Sequence, residues 1–177
     1  VYVAGLARNE AVDEPMESHL DRQVAHRILV ELSSARQEKG LSTLTIDASL
    51  TKAAEDYSLV MFDRIWEYFT NPASVDPHSL DGTTGVQRMK AAGYTGPSYG
   101  EIISHITYDL RRWSYSQDTV VQQPINSWLG SPKHFSVWFD PKWRDVGVGC
   151  SVAETTNPLN GSPAIVSVCV VDFGSSQ

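Results

Sequence analysis

The spacing of apolar residues predicts two long helices in the first part of the chain. The first extends from Pro15, which suits an opening turn, to Lys39, and Gly40 is a natural stop. Its apolar residues share one face: Val24, Ile28, Leu32 and Ala35. Asp47 is placed to cap the second helix. The second helix has a single apolar stripe: Leu50, Ala53, Ala54, Tyr57 and Met61.

The remaining segments are shorter and more often extended. Residues 83–93 predict a third helix, and residues 98–107 predict a half-buried strand. Residues 118–132 predict a fourth helix, in which Pro124 either lies in the first turn of a shorter helix or kinks a longer one. Because helices come early and strands late, the pattern predicts an α+β fold with helices packed on an antiparallel sheet.

Two cysteines lie in the strand-like segments DVGVGCSV and AIVSVCVVDF, and turn-forming residues separate the segments. A hairpin centred on those turn residues brings Cys150 and Cys169 opposite each other. Opposed residues of antiparallel strands have Cα atoms about 4.5–5.5 Å apart, a distance that a disulfide can span. The alternative is two buried free thiols. A disulfide would indicate an oxidising compartment.

Composition sets limits on the partners of the protein. A chain of 177 residues with 41% hydrophobic and 20% charged residues is typical of one soluble globular domain. We assign residues 1–20 to an N-terminal extension and residues 21–177 to that domain. The net charge of −7 argues against nucleic acid and anionic membranes as partners. No apolar run is long enough for a transmembrane segment.

One glutamate and three histidines are the first candidates for chemistry. Glu101 heads the strand SYGEIISH, where a carboxylate loses solvation unless a donor or cation meets it, so we expect a partner from a distant part of the chain. His78 and His134 lie in segments rich in turn residues, PHSLDG and GSPKHF. His105 alternates with Glu101 and therefore shares its face of the strand.

These segments, taken in order, resemble a known family. The chain offers HSLDG from His78, the pair Gly100 and Glu101, WLGSPKH ending at His134, and DVGVG from Asp145. This set resembles the CAP superfamily (cysteine-rich secretory proteins, antigen 5 and pathogenesis-related 1 proteins), in its compact bacterial SCP-like branch. The resemblance covers roughly residues 21–174.

The resemblance implies a three-layer α-β-α sandwich with a central antiparallel sheet and a shallow cleft. Two cleft histidines correspond to His78 and His134, and the acid of the Gly-Glu-Asn segment corresponds to Glu101. Glu101 would then orient an imidazole. Two neutral imidazoles facing a cleft can hold a divalent metal such as Zn²⁺, with waters completing the shell.

Two departures from the family pattern weaken a catalytic interpretation. Ile102 replaces the Asn that follows the Glu in relatives. Many eukaryotic members have a second cleft Glu, and the corresponding region here offers only Asp118 as a substitute acid. We therefore treat Asp118, Ser79 and His105 as supporting candidates for the cleft.

The sequence favours a binding protein over an enzyme. The first hypothesis is a monomeric protein, secreted or held in the cell envelope, whose cleft holds a metal ion and a small apolar or glycan ligand. The second is an extracellular interaction or virulence-type module, with a vestigial cleft, that binds a host or cell-surface protein. The third is a metal-assisted hydrolase in which Glu101 and a histidine activate water or Ser79. No nucleophile-elbow or HExxH motif supports the third hypothesis.

Overall fold

The computed structural model describes residues 19–176, which contain five helices and four strands. In chain order these are α1 (Arg22–Glu38), β1 (Thr45–Ile46), α2 (Ala48–Thr70), α3 (Gly85–Ala91), β2 (Ser98–Asp109), α4 (Gln117–Gly130), α5 (Pro132–Trp138), β3 (Asp145–Thr156) and β4 (Pro163–Ser175). Pro15 and most of the assigned extension lie outside the described residues.

The strands form one sheet in the order β1-β3-β4-β2. The three long strands are antiparallel, as predicted. β1 pairs in parallel with β3 through Thr45 and Asp145, so the sheet is mixed at one edge. Periodicity gave no sign of β1, because two residues cannot show an alternation.

Helices cover both faces of the sheet, and this arrangement confirms the three-layer α-β-α sandwich. On one face α2 packs against alternate strand residues such as Ile103 and Val170. On the other face α1, α4 and α5 pack against Ile102 and Val171, the strand residues adjacent in sequence to Ile103 and Val170. Side chains alternate along a strand, so each strand contributes to two cores.

Local sequence determines where the first helices begin and end. The Asp21 carboxylate accepts hydrogen bonds from the amides of Gln23 and Val24, so α1 begins at Arg22. Asp47 caps α2 in the same way, as predicted. Gly40, with φ of 70°, ends α1. This left-handed conformation at the end of a helix is one that glycine adopts without strain.

The last two helices differ in how well the sequence predicts them. α4 contains Pro124 in its interior, so the longer of the two alternatives is the one observed. α5 was not predicted, because seven residues are too few to show a helical period. Its N-terminal signal is Pro132 at the first position.

A buried arginine fixes α1 to the end of α5. Arg36 is fully buried, and its Nη1 donates to the carbonyl oxygens of Trp138 at 2.7 Å and Asp140 at 3.0 Å. Burial lowers the pKa of Arg36 from its ordinary value. Since these contacts are to backbone carbonyls, Arg36 has a structural role.

The disulfide between Cys150 and Cys169 joins β3 to β4, as predicted. The two residues are directly opposed in the antiparallel register, with Cα atoms 4.2 Å apart. Both side chains are buried in the core that α1 and α4 cover. The bond therefore connects the two central strands of the sheet inside the protein.

Two glycines of β3 allow α2 to lie directly on the sheet. A Cβ added to Gly147 would overlap the backbone of Leu50 and Thr51, and one added to Gly149 would overlap that of Ala54. The alternation of glycine in DVGVG thus reflects a close backbone approach. This approach fixes the height of α2 above the strands.

We predict that Gly149→Ala lowers the free energy of unfolding by about 1–3 kcal/mol or more. The reason is that the added Cβ meets backbone that cannot move without displacing α2. Gly130→Ala is the matched control, since an added Cβ there meets open space, and it should be neutral or stabilising by up to about 1 kcal/mol. Denaturant unfolding of both variants makes the comparison. Equal midpoints would contradict the close approach.

We also predict that replacing both cysteines by alanine lowers the free energy of unfolding by about 3 kcal/mol, the chain-entropy value for a loop closed by residues 19 apart. Chemical denaturation of the wild type and the double variant measures the loss. A reducing agent should lower the stability of the wild type and leave the double variant unchanged. Insensitivity of the wild type to complete reduction would show that the bond contributes nothing.

Candidate functional site

Glu101 lies near the start of β2, an edge strand, and its side chain is only 7% exposed. Its Oε1 lies 2.8 Å from Nδ1 of His78, and its Oε2 accepts a hydrogen bond of 2.7 Å from Nη2 of Arg88. Both partners come from outside the strand, as expected for a carboxylate without local donors. The carboxylate therefore joins α3 and the loop before it to the sheet.

Arg88 is the cation of the site, and the sequence reasoning did not assign it to Glu101. Its side chain is 8% exposed, and its guanidinium stacks on the ring of Tyr57 at 3.2 Å from the centroid. Nη1 donates to the carbonyl oxygens of Thr83 at 2.7 Å and His78 at 3.1 Å. The sequence feature that could have indicated this role is a short helix with a capped N-terminus and Arg88 in its last turn.

Tyr57 of α2 fixes the loop that contains His78. Its hydroxyl donates to the carbonyl oxygen of Pro77 at 2.7 Å and accepts from the amide of Leu80 at 3.0 Å. Burial raises the pKa of Tyr57 to about 12, so the hydroxyl keeps its proton at neutral pH. These two bonds hold the backbone on both sides of His78.

The contact with Glu101 determines which nitrogen of the His78 ring carries the proton. A carboxylate only accepts hydrogen bonds, so Nδ1 carries a proton and Nε2 is the acceptor of the neutral ring. The side chain is 40% exposed, so the ring reaches solvent. Asp76 accepts the amide of His78 at 2.9 Å, and this contact is the main reason that the pKa of Asp76 is lowered.

His134 lies near the start of α5. This helix contacts β2 and packs on the face of the sheet opposite α2. Its ring is half-buried, and its Nδ1 is buried without a hydrogen-bond partner among the described residues. Burial lowers the pKa of His134, and the charges of His78 and Lys133 lower it further. His78 and Glu101 are in direct contact, whereas no hydrogen bond joins His134 to either of them among the described residues, so the place of His134 in the same site stays a prediction.

Two supporting candidates do not join this group as acids or bases. Ser79 Oγ donates to Asp76 at 3.1 Å, and no hydrogen bond joins it to the His78 ring among the described residues. His105 shares the face of Glu101 but is packed against Tyr68, with ring centroids 4.5 Å apart. Four residues of strand separate it from Glu101, or about 13 Å at roughly 3.3 Å per residue.

Asp118, the third supporting candidate, lies on the other side of the sheet from the Glu101 side chain. It is an exposed residue of α4, and its carboxylate pairs with Arg27 of α1 at 2.6 Å. The helices α1 and α4 cover the opposite face from α2. The Asp118 carboxylate bonds to Arg27 and, among the described residues, to neither Glu101 nor the two histidines, so nothing places it as a second acid of this group.

Asp172 is the acidic residue that sequence reasoning missed. It lies in β4 directly opposite Glu101, and it is only 1% exposed. The signal was present in the sequence, because Asp172 interrupts the apolar run of CVVDF. A carboxyl group inside a buried strand either meets a partner from a neighbouring element or keeps its proton.

The described residues limit what kind of metal site the protein can form. Within residues 19–176, no group of three or more His, Cys, Asp or Glu side chains is arranged to hold a metal ion. An ion held by His78 and His134 alone would take its other ligands from water or from a bound molecule. In the same range, none of the helices is long and apolar enough to cross a bilayer.

Comparison with known proteins places this chain in a family. A model of the CAP, or cysteine-rich secretory protein, family matches residues 29–171. An outer surface protein from Borrelia burgdorferi has a similar fold, with a TM-score of 0.60, 20% identity and coverage of 90% of this chain and 98% of that chain. No curated protein matches the chain significantly in sequence.

A second similar structure is an extracellular protein containing an SCP domain from Bacillus anthracis str. Ames. Its TM-score is 0.58 at 16% identity, and the match covers 88% of this chain but 41% of that one. At these identities the likeness supports the fold. Because the match covers 41% of that protein, its SCP domain is one part of a longer chain.

We predict that Arg88→Met destabilises the protein by about 3–5 kcal/mol at neutral pH, because it leaves Glu101 buried without its cation. Arg22→Met is the control, since Arg22 also pairs with a glutamate but is 75% exposed, and it should cost about 0–1 kcal/mol. Thermal and urea unfolding measure both losses. Similar small losses would show that Arg88 does not compensate a buried charge.

Proposed function

The chain belongs to the cysteine-rich secretory protein (CAP) family, and we propose that it is an extracellular binding protein whose cleft holds a divalent metal ion such as Zn²⁺. The proposed metal ligands are His78 and His134. The observation that carries the proposal is the 2.8 Å contact between His78 Nδ1 and Glu101, which leaves Nε2 as the free acceptor of a solvent-reaching ring.

The residues of the cleft fit such an ion. Histidine ligands of metals almost always donate their second ring N–H to a carboxylate or carbonyl group, as His78 does to Glu101. His134 adds a second imidazole that partial burial keeps neutral, and a metal ligand must be neutral. A bound divalent ion would supply a Lewis acid with open positions for an oxygen atom of a ligand.

The proposed compartment is extracytoplasmic. A buried disulfide joins the central strands, and disulfides persist in oxidising environments. The two solved structures are named as an outer surface protein and an extracellular protein. We propose that this protein is likewise secreted or held in the cell envelope, where its ligand is a small apolar molecule, a glycan or a cell-surface protein.

A metal-assisted hydrolase is less well supported, because Glu101 is not free to act as a general base. Its two oxygens already accept from His78 and Arg88, and its side chain is almost fully buried. The Ser79 hydroxyl is hydrogen-bonded to Asp76 and is not activated by an imidazole. Binding uses the same geometry without requiring either group to react.

We predict that calorimetric titration with Zn²⁺ at neutral pH detects binding to the wild type, and that His78→Ala and His134→Ala each weaken it by at least about tenfold. The reason is that each substitution removes one of two protein ligands. His26→Ala is the matched control, because His26 is an exposed histidine of α1. Unchanged affinity in the His78→Ala, His134→Ala double variant would contradict the assignment.

A further inference from the structure

Asp172 is a buried acid for which the proposed function so far has no use. In the sheet register it lies between Glu101 on β2 and Gly147 on β3. Neither of its carboxyl oxygens has a hydrogen-bond donor among the described residues. Because an isolated ionised carboxylate is very costly to bury, such a group either finds a donor or keeps its proton.

The groups around Asp172 supply little positive charge. On β3 its opposite residue is a glycine, and Gly147 packs on the backbone of α2 without a side chain between them. On β2 it faces Glu101, which is itself acidic. From α3 the nearest cation is Arg88, which donates to Glu101 Oε2 and lies 3.5 Å from Asp81.

The phenol and the imidazole of the site do not donate to Asp172. The Tyr57 hydroxyl donates to the carbonyl oxygen of Pro77, and His78 Nδ1 contacts Glu101. The cation of Arg88 is therefore shared by the buried carboxyl groups of Glu101 and Asp172 and by the more exposed carboxylate of Asp81. Two like charges placed side by side in a dry environment do not both ionise, so one of the buried groups holds a proton.

The hydrogen bonds identify which carboxyl group keeps the proton. Glu101 accepts from both His78 and Arg88, so each of its two oxygens already faces a donor. Asp172 has neither contact. Burial first, and then the charge of Glu101, raise the pKa of Asp172 well above its ordinary value, and Arg88 opposes this only in part.

We infer that Asp172 is a positioning residue of the cleft: its protonated carboxyl group donates a hydrogen bond to Glu101 and holds the Glu101 carboxylate in place to accept the proton of His78 Nδ1. Asp172, Glu101 and His78 then form a directed chain of hydrogen bonds that ends at the exposed ring. The inference rests on the proposed function of His78, because orienting that ring matters only if the ring binds a ligand.

Carbon-13 NMR of the aspartate carboxyl carbons in the metal-free protein tests the proton directly. We expect one aspartate resonance to keep its protonated shift at pH 7 and to be absent from Asp172→Asn. Asp76, Asp81 and Asp140, whose pKa values hydrogen bonds and nearby cations lower, should show ionised shifts at the same pH. If every aspartate of the wild type is ionised at pH 7, the inference is wrong.

The pH dependence of stability provides a second readout that a purely structural role would not change. The folded state keeps the Asp172 proton to higher pH than the unfolded chain, whose aspartate pKa is about 4. Stability is therefore lost as the pH rises above that value, by up to about tenfold in the folded-to-unfolded ratio per pH unit. Asp172→Asn cannot ionise and still donates, so it should lack this loss, whereas the control Asp63→Asn should retain it. Parallel curves for wild type and Asp172→Asn would overturn the inference.

Zn²⁺ titration separates the positioning role from the proposed function. Asp172→Asn should bind Zn²⁺ as the wild type does, and Asp172→Leu, which cannot donate, should bind about tenfold more weakly. Wild-type affinity in a folded Asp172→Leu variant would refute positioning and leave the metal proposal intact. If the wild type does not bind Zn²⁺, the proposed function fails, and the NMR titration still decides where the proton lies. Should Asp172→Leu not fold, the wild type and Asp172→Asn decide the question.

Discussion

Burial of the Glu101 carboxylate is the constraint around which the candidate site is built. A carboxylate removed from water destabilises the folded state unless hydrogen bonds and a cation replace its hydration. Arg88 and His78 together supply that replacement, from a helix and a loop that precede the strand. The same contacts that compensate the charge also fix the direction of the His78 ring. Stability and site geometry therefore depend on one set of hydrogen bonds.

The scaffold places these partners through close contact between α2 and the sheet. Gly147 and Gly149 let the helix lie on the strands, and this position brings Tyr57 over the start of the His78 loop. Tyr57 then serves two purposes, because it holds the loop backbone and stacks on the guanidinium of Arg88. Apolar packing at the sheet thus controls a polar site at its edge.

Features with a local cause could be predicted from the sequence. The apolar stripe of α2, its Asp47 cap and the pairing of Cys150 with Cys169 follow from periodicity, capping and hairpin symmetry. β1 and α5 were missed because they are too short to show a period. The grouping of His78, Glu101 and His134 came from the family resemblance, since the three lie in separate segments.

The electrostatic partners could not be predicted in the same way. Nothing near Glu101 in sequence indicates that Arg88 rather than Lys90 reaches it, because that choice depends on which face of α3 meets β2. Asp172 becomes its neighbour only through the register of β2 and β4. Asp118 was a reasonable substitute acid by position in the chain, but its carboxylate pairs with Arg27 of α1.

The most direct test of this account is nitrogen-15 NMR of the His78 ring in the metal-free wild type at neutral pH. If Glu101 accepts from Nδ1, the neutral ring carries its proton on Nδ1, and Nε2 shows the chemical shift of an unprotonated nitrogen. His105, a half-buried histidine packed against Tyr68, provides an internal comparison. A ring protonated on Nε2 would contradict the account, because the nitrogen proposed to face a ligand would then be a donor.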